Sequence, residues 1–161
     1  GTNEAARRVV YRVEVGKISL RHEGLGEYSA VGMLLHMGDD FACETLARWL
    51  DCGPEPVREA ALYSAGRSFD PRVAEALVGA LDDRNLSGAS SCRHELRYCD
   101  HAALSLTRML GNPVEFDFAP EEPERDVLIA QLKAWWEANR ATIDWEGLRK
   151  AAKEAEAERN R

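Results

Sequence analysis

The sequence predicts an all-α protein: a short right-handed solenoid of about three helical pairs, with further helices at both ends. Two observations predict it. From about residue 26 onward, apolar residues recur at helical spacing in stretches opened by Asp or Pro and closed by Gly. The stretches also repeat. Shifting DDFACETLARWLD (Asp39 to Asp51) by 31 residues lays it on DPRVAEALVGALD (Asp70 to Asp82), matching Asp39, Glu44, Leu46, Leu50 and Asp51 to Asp70, Glu75, Leu77, Leu81 and Asp82. Shifting VREAALYSAGR by 42 residues lays it on CDHAALSLTRM, matching Ala60, Ala61 and Leu62 to Ala102, Ala103 and Leu104. Neither helix of such a pair can bury its stripe alone, and stacked pairs share one core.

Taken in order, the first 25 residues lack a clear repeat. Val9, Tyr11, Val13 and Val15 alternate as a strand would, whereas Ala6, Val9, Val10 and Val13 form a helical stripe. A lone hairpin over residues 3–20 would have no sheet to join, so helix is preferred. GLGEYS reads as a turn into the next helix. Asp39-Asp40 then cap a helix with Ala42, Leu46, Trp49 and Leu50 inward, ended by Cys52-Gly53-Pro54. Pro54-Glu55-Pro56 opens another, because proline and acid both suit a first turn. Asp70-Pro71 opens a third, striped by Val73, Leu77, Ala80 and Leu81. A polar loop runs from Asp82 to Arg97; its Arg84 to Ser91 stretch is predicted to be mobile and solvent-exposed, and its deletion to leave stability nearly unchanged. A helix over Leu96 to Leu110 stops at Gly111-Asn112-Pro113, and the link FAPEEPE leads into a helix over Asp126 to Asn139. A charged helix from Asp144 to Arg161, fraying after Glu154, closes the chain. The organisation is therefore one domain, with an N-terminal segment (1–25), repeats (26–140) and a C-terminal helix (141–161).

Pro54 to Asp83 (PEPVREAALYSAGRSFDPRVAEALVGALDD), with CDHAALSLTRMLG and LKAWWEANR after it, resembles the HEAT-repeat family, in particular its small bacterial HEAT-like domains. The likeness spans about residues 26–140. It implies a solenoid and says little of activity, since that family hosts scaffolds, regulators and some enzymes. Among the latter are alkylpurine DNA glycosylases, so the resemblance also implies an alternative: a nucleic-acid-binding protein or glycosylase-like enzyme.

Composition weighs on that choice. The 161 residues carry a formal charge of −7, and an acidic chain must overcome repulsion from phosphates. Four cysteines are too few for a disulfide scaffold, which suggests a reducing, cytoplasmic setting. The polar start has none of the features of a secretory leader, and no apolar run is long enough for a membrane span.

No nucleophile elbow, phosphate loop or paired catalytic carboxylates are visible, so no catalytic residue and no cofactor is expected. Cys92, His94, Cys99 and His101 offer four possible zinc ligands within ten residues. The one-residue spacing within each pair is wrong for zinc, however, and Cys99 and His101 diverge by about 200° on a helix. The expectation is no metal, with Cys99 packed between helices, His101 on the surface, and Cys92 and His94 on the loop. His22 and His36 have no ligand-spaced partner. Trp135 and Trp136 diverge by about 100° on one helix. Either both are buried with Trp145, or one is left exposed as a binding anchor. The function expected is a non-catalytic module that binds another protein, with no small-molecule ligand evident. The residues expected to carry the contact are Arg48, Trp49, Arg72, Glu75, Lys133 and Trp136.

Overall fold

The computed structural model describes residues 2–14, 27–90 and 94–161. Among the described residues the chain is mainly helical, with eight α-helices and one two-stranded antiparallel hairpin. The helices are α1 (Thr2–Glu14), α2 (Glu27–Met37), α3 (Asp40–Cys52), α4 (Glu55–Ser64), α5 (Pro71–Ala80), α6 (Tyr98–Met109), α7 (Glu122–Asn139) and α8 (Trp145–Arg159). The hairpin strands are β1 (Leu86–Ser90) and β2 (Glu95–Arg97), and short 3₁₀ turns follow α4 and α7.

Local chemistry sets most boundaries. The Asp39 carboxylate accepts from the Ala42 amide at 2.9 Å and starts α3. Asp70 does the same for α5 through the Arg72 amide, with Pro71 in the first turn. Removing an N-cap acceptor costs about 1 kcal/mol. Asp39→Ala should therefore lower the melting temperature by about 2–4 °C, measured by thermal circular dichroism. Gly111 and Asn112 both take left-handed backbone (φ 78° and 60°) to end α6, and the Asn112 amide returns to the Thr107 carbonyl at 2.7 Å. Phe69 is also left-handed (φ 48°), in the turn between α4 and α5.

Helix packing alternates. α2 lies against α4 and α4 against α6, while α3 lies against α5; successive helices from α2 to α4 and from α5 to α7 also pack. Ala6, Val10 and Val13 are the buried side of α1, so residues 2–14 are helical as expected, and residues 15–20 lie outside the described part. The core is continuous from α1 to α7, and α6 is its centre: every residue of that helix except Arg108 is buried. Small side chains make this close approach possible. The 3₁₀ turn after α4 touches α6 at Gly66, where an added Cβ would stand 2.5 Å from the Ser105 carbonyl oxygen. The Ser105 hydroxyl donates to the Leu62 carbonyl.

Three boundaries differ from expectation. The Asp82–Arg97 segment is not an unstructured loop. It forms β1 and β2, with Leu86 opposite Arg97 and Ser90 opposite Glu95. Its first residues also complete α6, whose leading amides donate to the Asn85 carbonyl (from Tyr98, 3.0 Å) and the Asp83 carbonyl (from Cys99, 2.9 Å). Deleting Arg84 to Ser91 would remove the acceptor of the Tyr98 amide and leave that of Cys99 in place. Secondly, α7 starts at Glu122, inside the expected link, because Pro123 with Glu122 and Glu124 makes a favourable first turn. Thirdly, α8 stays helical past Glu154 to Arg159, although its residues beyond Leu148 are almost all exposed.

Candidate functional site

Four of the expected contact residues lie on the outward sides of their helices, and three of them, Arg72, Glu75 and Lys133, take part in ion pairs between segments. Arg48 is exposed on α3, Arg72 and Glu75 project from α5, and Lys133 from α7. Ion pairs tie these helices side by side. Arg72 reaches Asp40 of α3 at 2.9 Å and Glu44 at 3.7 Å, in addition to its own cap residue Asp70. Lys133 reaches Asp82 at 2.8 Å, and Arg140, just past α7, reaches Glu75 at 3.4 Å and Glu137 at 3.8 Å. The result is a strip of alternating charge across three helices. Each exposed pair is worth well under about 1 kcal/mol, so the strip adds little to stability.

The two tryptophans proposed for that contact do not belong to it. Trp49 and Trp136 are 1% and 2% exposed, because the inward stripes of α3 and α7 carry them into the core. Trp136 meets Trp145 edge to face with ring centroids 6.4 Å apart. Trp135 is half-buried and lines a cavity of about 300 Å³ at the base of α8, with Leu110, Ile143, Asp144, Gly147 and Leu148. Both members of the Trp135–Trp136 pair therefore turn toward the C-terminal helix.

A second cluster lies where the hairpin joins α6 and α7. The Asp100 carboxylate is fully buried between two buried guanidinium groups. Arg97 Nη2 and Nε donate to its two oxygens at 3.0 and 3.1 Å, and Arg125 Nε and Nη2 do so at 3.1 and 3.3 Å. Arg97 also pairs with Asp126 (2.8 Å) and Glu122 (3.2 Å), while Arg84 pairs with Asp126 from the outside. Burial alone would push the Asp100 carboxyl up. The hydrogen bonds from Arg97 and then Arg125 outweigh it and hold the pKa below the usual carboxylate range. Outward from this network, Arg58 stacks over the Tyr98 ring at 4.6 Å and pairs with Asp83 at 2.8 Å, fastening the root of the hairpin to α4.

His101 sits beside the network and is only 3% exposed, not on the surface as expected. It occupies the first turn of a helix that is buried all round, and the hairpin and the chain after α6 cover it. Its Nε2 lies 3.0 Å from the Ser87 hydroxyl of β1. The Phe118 and Tyr63 rings approach it edge-on, with centroids 5.4 and 6.4 Å away. Among the described residues, its buried Nδ1 has no hydrogen-bond partner. Burial lowers the imidazole pKa, and the neighbouring Asp100 charge only partly opposes this, so the ring is neutral at pH 7.

Of the other residues of the suggested zinc quartet, His94 and Cys99 are described. His94 Nε2 donates to the Ala119 carbonyl at 3.0 Å. Cys99 is fully buried, and burial pushes its thiol up to about 11. Cys92 lies outside the described residues, as does His22. Among the described residues, no group of three His, Cys, Asp or Glu side chains is placed to hold a metal.

Sequence reasoning missed the Asp100 network and the His101 enclosure. One local signal existed: Arg97 and Asp100 stand three apart at a helix start, the spacing of a capping box. Arg125, 25 residues further on, carries no such signal.

No protein-family model matches the chain, and no curated protein or solved structure matches it either.

Proposed function

We propose that this chain is a non-catalytic protein-binding module built on a HEAT-like helical-pair solenoid. Two features support the solenoid reading. The helices that align at a shift of 31 residues, α3 and α5, lie against each other, and so do those that align at 42, α4 and α6. Stacking of like helices in successive pairs is what such a repeat requires.

The observation that carries the binding role is the ion-paired strip that contains Arg72, Glu75 and Lys133, with Arg48 exposed on the same helix as its members Asp40 and Glu44. Its ion pairs link α3 to α5, and the α5 segment to the α7 segment; it alternates in sign and contributes little to folding. Mixed charge of this kind complements a protein surface better than a phosphate backbone, and it sets partner choice and encounter rate.

Charge reversal on the strip tests the reading. Wild-type protein and the Arg48→Glu/Glu75→Lys double variant are used as baits, after matched melting temperatures confirm that both are folded. A partner should be retained by the wild type and lost by the variant. Equal retention of every captured protein would place the contact elsewhere. Tight, salt-sensitive binding of short duplex or single-stranded DNA would overturn the protein-binding reading in favour of the nucleic-acid alternative.

A further inference from the structure

We propose that His101 is a proton-operated latch that holds the β1–β2 hairpin against α6 at neutral pH and releases it under mild acid. Four features meet at this residue. The imidazole is almost completely buried, it is the hydrogen-bond partner of Ser87 in β1, its other nitrogen has no partner among the described residues, and Phe118 packs against it in a T-shaped contact.

The chemistry follows from the tautomer. With Nδ1 unpartnered, the less costly neutral form carries its proton on Nε2 and donates to the Ser87 oxygen, leaving an unused lone pair on Nδ1. A proton taken from solvent must go to Nδ1. There it creates a buried cation with an N–H group that has no acceptor, and both terms oppose burial. The protein can relieve this by letting Ser87 and Phe118 move away so that water reaches Nδ1.

The charged and titratable groups around the ring do not supply an alternative acceptor. On α6, Asp100 has both carboxylate oxygens engaged by Arg97 and Arg125. On α4, Tyr63 offers its ring edge, and the Glu59 carboxylate stands beside Gly88 of β1. After α6, Asp117 accepts from the Ala119 amide, and His94, ahead of β2, donates to the Ala119 carbonyl. Acid release therefore acts through His101, whose protonated Nδ1 would find no acceptor among these groups.

Stability follows the sign of the shift. A histidine whose pKa is lowered by folding binds protons more readily when released, so the closed state is fully favoured above the ordinary value of 6.5 and loses ground as pH falls below it.

Hydrogen exchange on the full chain, from about pH 7.5 to about pH 5.5 and corrected for intrinsic rates, reads this directly. Amides of β1 and β2 should open several-fold more often at the lower pH, while those of α3 and α5 stay unchanged. His101→Gln should flatten the response and His94→Gln should not. An unchanged response in His101→Gln, or a flat wild-type profile, would overturn the proposal. A ring titration of wild-type His101 by NMR keeps the question decidable should the glutamine variant not fold. The midpoint should fall below 6.5 and coincide with the shifts of the hairpin amides. A midpoint at or above that value, or one unconnected with the hairpin, would also overturn it.

Discussion

Asp100→Ala should lower stability by about 3–5 kcal/mol, the range expected when one partner of a buried charge network is removed. At this chain length that is a fall in melting temperature of roughly 6–20 °C. Most of the loss would come from what remains. Arg97 and Arg125, 4% and 1% exposed, would keep their charges in the interior without the carboxylate that offsets them. Arg97 would retain Asp126 and Glu122 as partners. Arg125 would be left with the Pro120 and Glu95 carbonyls. Asp100→Asn keeps the shape but not the charge and should fall between the variant and the wild type. The pH dependence has a definite sign. Asp100 is held below the ordinary carboxylate value, so its contribution is complete above about pH 3.9 and is lost as pH falls through the lower folded value. Melting curves of wild type and Asp100→Ala should therefore converge in strong acid. A constant gap down to that range would show that the carboxylate is not what stabilises the cluster.

Gly66→Ala should destabilise the protein by about 1–3 kcal/mol or more. The new Cβ would meet three backbone atoms of Ser105: the oxygen at 2.5 Å, Cα at 3.1 Å and the carbonyl carbon at 3.2 Å. A flexible side chain could swing aside, but the backbone of a buried helix cannot. The glycine's own backbone conformation is not the reason, since its φ is not positive. A second substitution tests that distinction. Ser105→Gly removes only side-chain atoms and leaves all three contacts, so it should fail to rescue Gly66→Ala in thermal unfolding. Recovery of stability in the double variant would contradict the backbone contact.

The helices were legible where local chemistry and the core asked for the same thing. Asp39 and Asp70 cap where their positions before apolar stripes say they should, and Pro56 and Pro71 stand in the first turns that tolerate them. The hairpin was not legible, because its stability is not local. Leu86–Ser90 has few apolar side chains. What holds it is the Ser87–His101 contact, together with the backbone acceptors that the residues just ahead of it supply to α6. A helical stripe likewise reveals only one buried side. The remaining sides of α6 are covered through Ala102, Ala103, Ser105 and Thr107, residues that read equally well as surface. The same ambiguity put His101 outside. Of the contact residues, the charged ones were placed by their positions away from the stripes. The two tryptophans were misplaced because their size suggested anchors, while their register put them inside.

The enclosure of α6 also bears on how this sequence can diverge. Its neighbours are α4, α5, α7 and the hairpin, so a change of volume or polarity on almost any of its residues is felt by at least one other segment. Substitutions there are acceptable mainly as matched sets, and their effects depend strongly on background. The outward sides of α3, α5 and α7 are linked through exposed ion pairs such as Arg72–Asp40 and Arg140–Glu75, each worth little. Drift in this chain is thereby channelled to the outward sides of these helices, where changes can accumulate one residue at a time while the central helix stays fixed.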